Sequence, residues 1–321
     1  KVILVFLPVL VVLTFRQGKI YENEEVLWRA TIERNPDSWM SYNNLGHILL
    51  DRNQPEESET FLRQCLDLKP DHFNAMSNLA EALRRQKRDS EALIAINQAI
   101  DLGDAMVENG RLPSRAFLAK EYHQLGLILM AIKHARQAER AYVTSLELEP
   151  DRPPVNFSYA MLLMEQKRFD EAIEHFRIYL DWNPIDLVAL DSMGQIAEDQ
   201  ERYAHAKTYY RRAVDAAMTP RDQVMMGSNY IRFISSCPDP TVRRIEEGIA
   251  MAENMNRASR GQMPEVLDVL AAAYAQGGRF DDAVRVCESA LQLARAAGRY
   301  EIATEIESRL ERYRNQKVFW E

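Results

Sequence analysis

The stretch NNLGHILLDRNQPEESETFLRQCLDLKP, residues 43–70, decides the fold. Its apolar residues recur every three or four positions on either side of a short polar turn, the spacing of two amphipathic helices. Thirty-four residues on, NLAEALRRQKRDSEALIAINQAIDLG (78–103) repeats the arrangement. Further copies begin at 123, 158, 192 and 268, so six stretches share one design. Such self-similarity marks a helical repeat array, because one pair cannot bury both of its apolar stripes and must stack on its neighbours.

These copies resemble tetratricopeptide (TPR) repeats, whose period is about 34 residues and whose pattern runs W-x-x-L-G-x-x-Y, A-x-x-x-F-x-x-A, P. Repeat one carries Tyr42, Leu45, Gly46 and Leu49, then Ser58, Leu62, Cys65 and Pro70. Repeat three carries Tyr122, Leu125, Gly126 and Leu129, then Ala138, Tyr142, Ser145 and Pro150. Repeat four ends with Ala172, Phe176, Tyr179 and Pro184, and repeat five has Met193, Gly194, Ala206, Tyr210 and Ala213. Small residues such as Gly46 and Gly126 let two helices approach, while Tyr142 and Phe176 fill the space between neighbouring pairs. Pro70, Pro150 and Pro184 stop second helices, which proline cannot continue. The resemblance implies an all-α fold, a right-handed α-solenoid of helix-turn-helix repeats closed by a C-terminal capping helix.

On this register the chain divides as follows. Residues 1–19 read as the end of a transmembrane helix or anchor, and 20–36 as a half repeat with Trp28 at its bulky position. Repeats one and two occupy 37–104, an insertion 105–118, and repeats three to five 119–218. The insertion is expected as a loop or as an extension of the following helix. A degenerate helix pair with a longer joining loop occupies 219–262, and the last repeat 263–298. The capping helix and tail take 299–321, with Ile302, Ile306, Leu310 and Tyr313 on one face.

Composition supports helices and narrows the function. Only 12 Gly and 13 Pro occur in 321 residues, while 46% are hydrophobic. A formal charge of −8, without a long basic run, argues against nucleic acid as a partner, since that binding rests on clustered Lys and Arg. Cys65, Cys237 and Cys287 are too scattered for a disulfide framework or zinc site; Cys65 and Cys287 fall on apolar helix faces. The HExxH, Walker A, GxGxxG, CxxC and GxSxG patterns are absent, and the six histidines lack metal-ligand spacing. Asp281 reads as a helix N-cap rather than a catalytic carboxylate. The Asn156-Phe157-Ser158 sequon lies at a helix start and reads as chance. No catalytic residue, cofactor or metal is expected in this chain.

Val2 to Phe15 (VILVFLPVLVVLTF) is almost wholly apolar, yet shorter than the roughly 20 residues that cross a bilayer. We read it as the last part of a transmembrane helix; a segment packed under repeat one is the other reading. The run from this segment through EEVLWRATIERNP into a repeat is similar to membrane proteins of the transmembrane and TPR-containing kind. That resemblance, over about the first 50 residues, implies a membrane-tethered, extracytoplasmic array. It also implies an alternative function as the non-catalytic acceptor-binding arm of a multi-spanning glycosyltransferase. Arg16 and Lys19 on the array side point the other way, to the cytoplasm.

By family register, the first helix of each pair lines the groove that takes a protein or peptide partner. Repeat one supplies Asn43, His47 and Asp51, repeat two Ser77, Glu81 and Arg84, and repeat three Lys120 and His123. Repeat five adds Asp191, Gln195 and Glu198. Leu127, Met130, Phe157, Met161 and Met164 would form an apolar strip, adaptable through its methionines; internal packing of some of them is the competing reading. Asn44, Asn78 and Gln124 take equivalent places in three repeats, where amides could hold a peptide backbone or bridge helices. The resemblance to O-GlcNAc-transferase-type arrays implies the former. The clamp for a chaperone's terminal carboxylate fits badly. Asn78 and Lys120 match it, but Asn43, His47 and Gln124 replace its Lys, Asn and Arg. The expected function is a non-enzymatic interaction scaffold.

Overall fold

A computed structural model describes residues 23–320, and every regular element among them is helical. Compactness divides the chain into two units, at Leu162 and Leu163. The first unit begins with α1 (Glu24–Arg34), capped by the Asn23 side chain, which accepts from the Val26 amide at 3.0 Å. Then come α2 (Trp39–Asp51) and α3 (Pro55–Leu68) of repeat one, and α4 (Phe73–Arg85) and α5 (Asp89–Glu108) of repeat two. Repeat three is α6 (Ala119–Ala131) and α7 (Ala135–Leu148), and the division falls within α8 (Pro153–Glu165).

The second unit continues with α9 (Phe169–Trp182), then the pair α10 (Leu187–Asp199) and α11 (Tyr203–Ala216). The degenerate stretch forms α12 (Pro220–Ser236) and α13 (Ile245–Ala258). The last repeat is α14 (Pro264–Gln276) and α15 (Phe280–Ala296), followed by α16 (Tyr300–Arg314). On α16, Ala303, Ile306, Leu310 and Tyr313 are buried against α14 and α15, with Ile302 half-buried beside them.

The repeats close by one local device. Asn53, Lys87, Lys133, Lys167 and Glu201 take positive φ in the turn between first and second helices, as does Gly278 in the last repeat. There the next amide reaches back over the helix end, as Arg88 N does to the Leu83 carbonyl (3.0 Å) and His134 N to that of Leu129 (2.8 Å). These bonds satisfy carbonyls that a helix end leaves open, offsetting the cost of left-handed backbone at residues other than glycine. Second helices stop at Leu68, Leu148 and Trp182, each two residues before a proline.

Packing inside each pair follows the small-to-large rule. Leu45, Leu49 and Leu62 are fully buried in repeat one, and each such side chain contributes about 1.5–3 kcal/mol of transfer free energy. Hydroxyls tie helix to helix: Ser58 Oγ donates to the Gly46 carbonyl (2.6 Å) and Ser145 Oγ to that of Ala119 (2.6 Å).

Three features differ from, or lie beyond, the sequence expectations. Residues 105–108 of the insertion extend the helix before them, and a 3-10 turn at Arg115–Leu118 leads straight into α6. Leu118 explains the anchoring: it is fully buried and faces Gly103 of α5. Asp281 is not an N-cap, since Arg279 takes that place without a side-chain cap bond and Asp281 lies in the first turn. The apolar run 2–15, with the anchor assigned to 1–19, lies outside the described residues, so α1 is shown without its expected partner helix. Among the described residues no helix is long and apolar enough to cross a membrane.

Candidate functional site

In the first unit, the first helices stand side by side, each burying one stripe and turning the opposite one outward. Their outward stripes frame a groove of about 300 Å³. His47 and Asp51 enter it from α2, Asn78, Glu81, Arg84 and Arg85 from α4, and Lys120, His123, Gln124 and Leu127 from α6. Arg152, just before α8, and Pro154, in its first turn, complete the wall.

Charge is organised unevenly along this groove. Glu81 accepts from Arg84 Nη2 (2.8 Å) and Arg85 Nε (2.6 Å), and Arg85 also donates to the Leu50 carbonyl (2.6 Å). Burial raises the Glu81 carboxyl, but the two guanidinium groups outweigh it and its pKa is lowered. Lys120 is exposed, and Arg152 pairs with Glu149 (2.5 Å). With Asp51 and Glu81 against Arg84, Arg85, Lys120 and Arg152, the lining carries more positive than negative charge.

His123 does not add to that charge. Burial first, then the nearby Arg152 and Arg84, push its pKa down to about 4, so the ring is neutral at pH 7. Its Nε2 lies 3.0 Å from Ser158 Oγ. Behind the groove, Ser77 Oγ donates to buried Glu121 Oε1 (2.8 Å), with Gln124 Oε1 a second acceptor at 3.3 Å. Burial raises the Glu121 carboxyl, and its Oε2 has no partner among the described residues.

The structure sorts the sequence candidates. Asn78, Gln124 and Leu127 line the groove, but Asn78 and Gln124 are each only 6% exposed. Gln124 is engaged by Ser77, an inter-repeat contact. Asn44 is half-buried, accepts from Asn43 Nδ2 (3.2 Å) and does not line this cavity. The three amides are therefore not one open row. Met130 and Phe157 are half-buried and Met161 is 36% exposed; none lines the cavity. Met164 is half-buried and belongs to the second unit.

Arg85, Leu50, Arg152 and Pro154 escaped the sequence reading. Arg85 is adjacent to the assigned Arg84 and could have been found by widening the stripe. Arg152 sits in a loop, outside any helical register. The Ser77–Glu121 bond spans the insertion and had no sequence signal. No group of three potential metal-ligating side chains occurs among the described residues.

Four family models, each described as tetratricopeptide repeat, match residues 37–105, 123–184, 189–217 and 266–299. Together they cover more than half of the chain. Among solved structures it is similar to PilF of Pseudomonas aeruginosa, with 21% identity over 63% of this chain and 87% of that one, TM-score 0.51. It is similar also to PilW, a type IV pilus biogenesis factor, at 18% identity over 63% and 89%, TM-score 0.53. The Cut9–Hcn1 assembly of the APC/C matches at 15% identity over 80% of this chain and 46% of that one, TM-score 0.56. At these identities the likeness is one of fold. No curated protein matches the chain. The repeated helix pairs, their shared turn and these matches make the chain a member of the tetratricopeptide-repeat proteins.

Proposed function

We propose that this chain is a protein-interaction scaffold whose groove in the first unit receives a segment of a protein partner. The observation that carries this reading is the groove itself. It combines the apolar Leu127 with an excess of positive charge around Lys120. A peptide with an apolar side chain flanked by carboxylates matches that lining in shape and sign.

The test is selection of random displayed peptides against the folded chain, followed by titration of the winners. Selected peptides should carry acidic residues and lose about ten-fold in affinity, or roughly 1.4 kcal/mol, on Lys120→Ala or Leu127→Ala. The control Val188→Ser, at an exposed position of the second unit, should leave them unaffected. Winners that bind both groove variants unchanged would remove the groove from consideration.

The apolar run Val2–Phe15 supports a membrane-tethered form of this scaffold. A place for the array outside the cytoplasm rests on the resemblance of the first 50 residues alone, and Arg16 and Lys19 favour the cytoplasm instead. Flotation with liposomes tests the tether. The chain should float, and a variant with Leu4, Leu7, Leu10 and Leu13 replaced by Ser should not. Equal behaviour of the two would end that form of the proposal. The reading as an acceptor-binding arm of a glycosyltransferase rests on the resemblance of the first 50 residues alone.

A further inference from the structure

Residues 237–244 join α12 to α13, whereas three residues join the two helices of each other described pair. The longer loop is pinned. Asp239 Oδ1 accepts from the Thr241 amide (2.8 Å) and hydroxyl (2.7 Å), and the Arg244 amide donates to the Ile234 carbonyl (2.6 Å). Val242, within the loop, packs into the apolar cluster that holds Tyr210, Tyr230 and Phe233. Together with α11 this loop lines a pocket of about 520 Å³, a size typical of ligand sites. Ala204, Lys207, Thr208 and Arg211, spaced three and four apart, bring one face of α11 to it. Buried Tyr230 and Val242 give it an apolar floor.

Three cations, Lys207, Arg211 and Arg212, line this pocket with a single carboxylate, Glu247, in a chain whose formal charge is −8. Arg211 is shared between carboxylates, its Nε 3.4 Å from Asp215 and its Nη1 3.8 Å from Glu247. Glu247 also accepts from the Tyr230 hydroxyl (3.5 Å), so the one carboxylate of the lining is already engaged. Arg212 donates to the Pro184 carbonyl (3.2 Å). Neither Arg212 nor Lys207 has a carboxylate within 4.0 Å among the described residues. The pocket therefore sets two uncompensated cations beside an apolar floor.

We propose that this pocket is a second binding site, which takes an acidic segment of a partner protein. An apolar side chain of the segment covers Tyr230 and Val242, and flanking carboxylates pair with Lys207 and Arg212. An apolar ligand would leave both cations unmatched, and a bare anion would leave the floor uncovered. The site stands on α11, a second helix of its pair, in the second unit. It does not depend on the groove of the first, which first helices line.

The probe is a fluorescent synthetic peptide, EELEE, titrated by anisotropy against the full chain carrying Lys120→Ala/Leu127→Ala, so that the groove of the first unit is weakened as a competitor. Binding should persist in that background. It should fall at least about ten-fold on adding Lys207→Glu/Arg212→Glu, or on adding Ala204→Glu, which brings a carboxylate to the pocket and keeps both cations. The probe EEGEE, without the apolar side chain, should bind at least about ten-fold more weakly, and KKLKK should not bind. Ala204 is exposed, so Ala204→Glu decides the matter if the double charge reversal loses its helical signal. Binding that disappears with Lys120→Ala/Leu127→Ala alone would assign the peptide to the groove and overturn the inference. Affinity unchanged by Ala204→Glu would overturn it too. So would displacement of the probe by inorganic phosphate as readily as by unlabelled EELEE at constant ionic strength, which would reveal a simple anion site.

Discussion

Gly126 and Tyr142 meet so closely that a Cβ built on the glycine would stand 2.3 Å from the tyrosine ring. The same relationship joins Gly46 to Leu62 at 2.6 Å and Gly194 to Tyr210 at 2.8 Å. In each pair the missing side chain of the first helix is the space filled by the large residue of the second. Tyr142 is 1% exposed and cannot swing into solvent without opening the core.

Gly126→Ala should therefore destabilise the protein although alanine favours helices. Overpacking costs about 1–3 kcal/mol and the propensity gain returns roughly 1. We expect a net loss of up to about 2 kcal/mol in urea unfolding followed by circular dichroism. A gain would mean that the contact relaxes freely and that the glycine is dispensable.

Groove substitutions should separate binding from folding. Lys120 is exposed, so Lys120→Ala should change unfolding free energy by less than about 0.5 kcal/mol. It should nonetheless weaken acidic peptides and flatten the salt dependence of their binding. An unchanged salt dependence would show that Lys120 does not face the ligand.

His123 should make stability fall in mild acid. Its folded pKa, about 4, lies below the ordinary 6.5, so between these values the unfolded chain binds more protons than the folded one. Stability is then fully present above about 6.5 and is lost as pH falls toward 4, at up to about 1.4 kcal/mol per pH unit. His123→Gln should show a shallower decline across that window. Parallel pH profiles for the two proteins would place the titration elsewhere.

Cys65 and Cys287 should be silent toward thiol reagents. Both are fully buried, and burial lifts their thiols to about 11 and about 12. At pH 8 an aromatic disulfide reagent should find them only after urea unfolds the chain, since the thiolate is the reactive form. Rapid labelling of either in the native protein would contradict the packing described.

Helix pairs and their turns were legible because their causes are local. Apolar spacing sets which stripe of a helix is buried, Pro70, Pro150 and Pro184 set where second helices stop, and Gly126 marks where a large residue must arrive. Each signal lies within one repeat and recurs in the next. The candidate groove was half legible for the same reason: His47, Asp51, Glu81 and Lys120 follow from the repeat register.

What the register left open was which partner each polar side chain takes, since that depends on helices brought together from distant sequence. Gln124 and Asn78 occupy positions that read as peptide contacts, yet both are almost wholly buried, and Ser77 reaches Gln124 and Glu121 across the insertion. Residues 105–108 continue a helix, and Leu118, fifteen residues on from Gly103, takes its seat beside that glycine. Val318–Trp320, with no periodicity of their own, took their place from Arg312, Gln276 and Arg309. The sequence by itself determined the repeated helices and their buried stripes, because those follow from spacing along one chain segment. Only the tertiary structure decided the groove's open positions and the seat of the last residues, because both depend on the distance between side chains that the sequence keeps far apart.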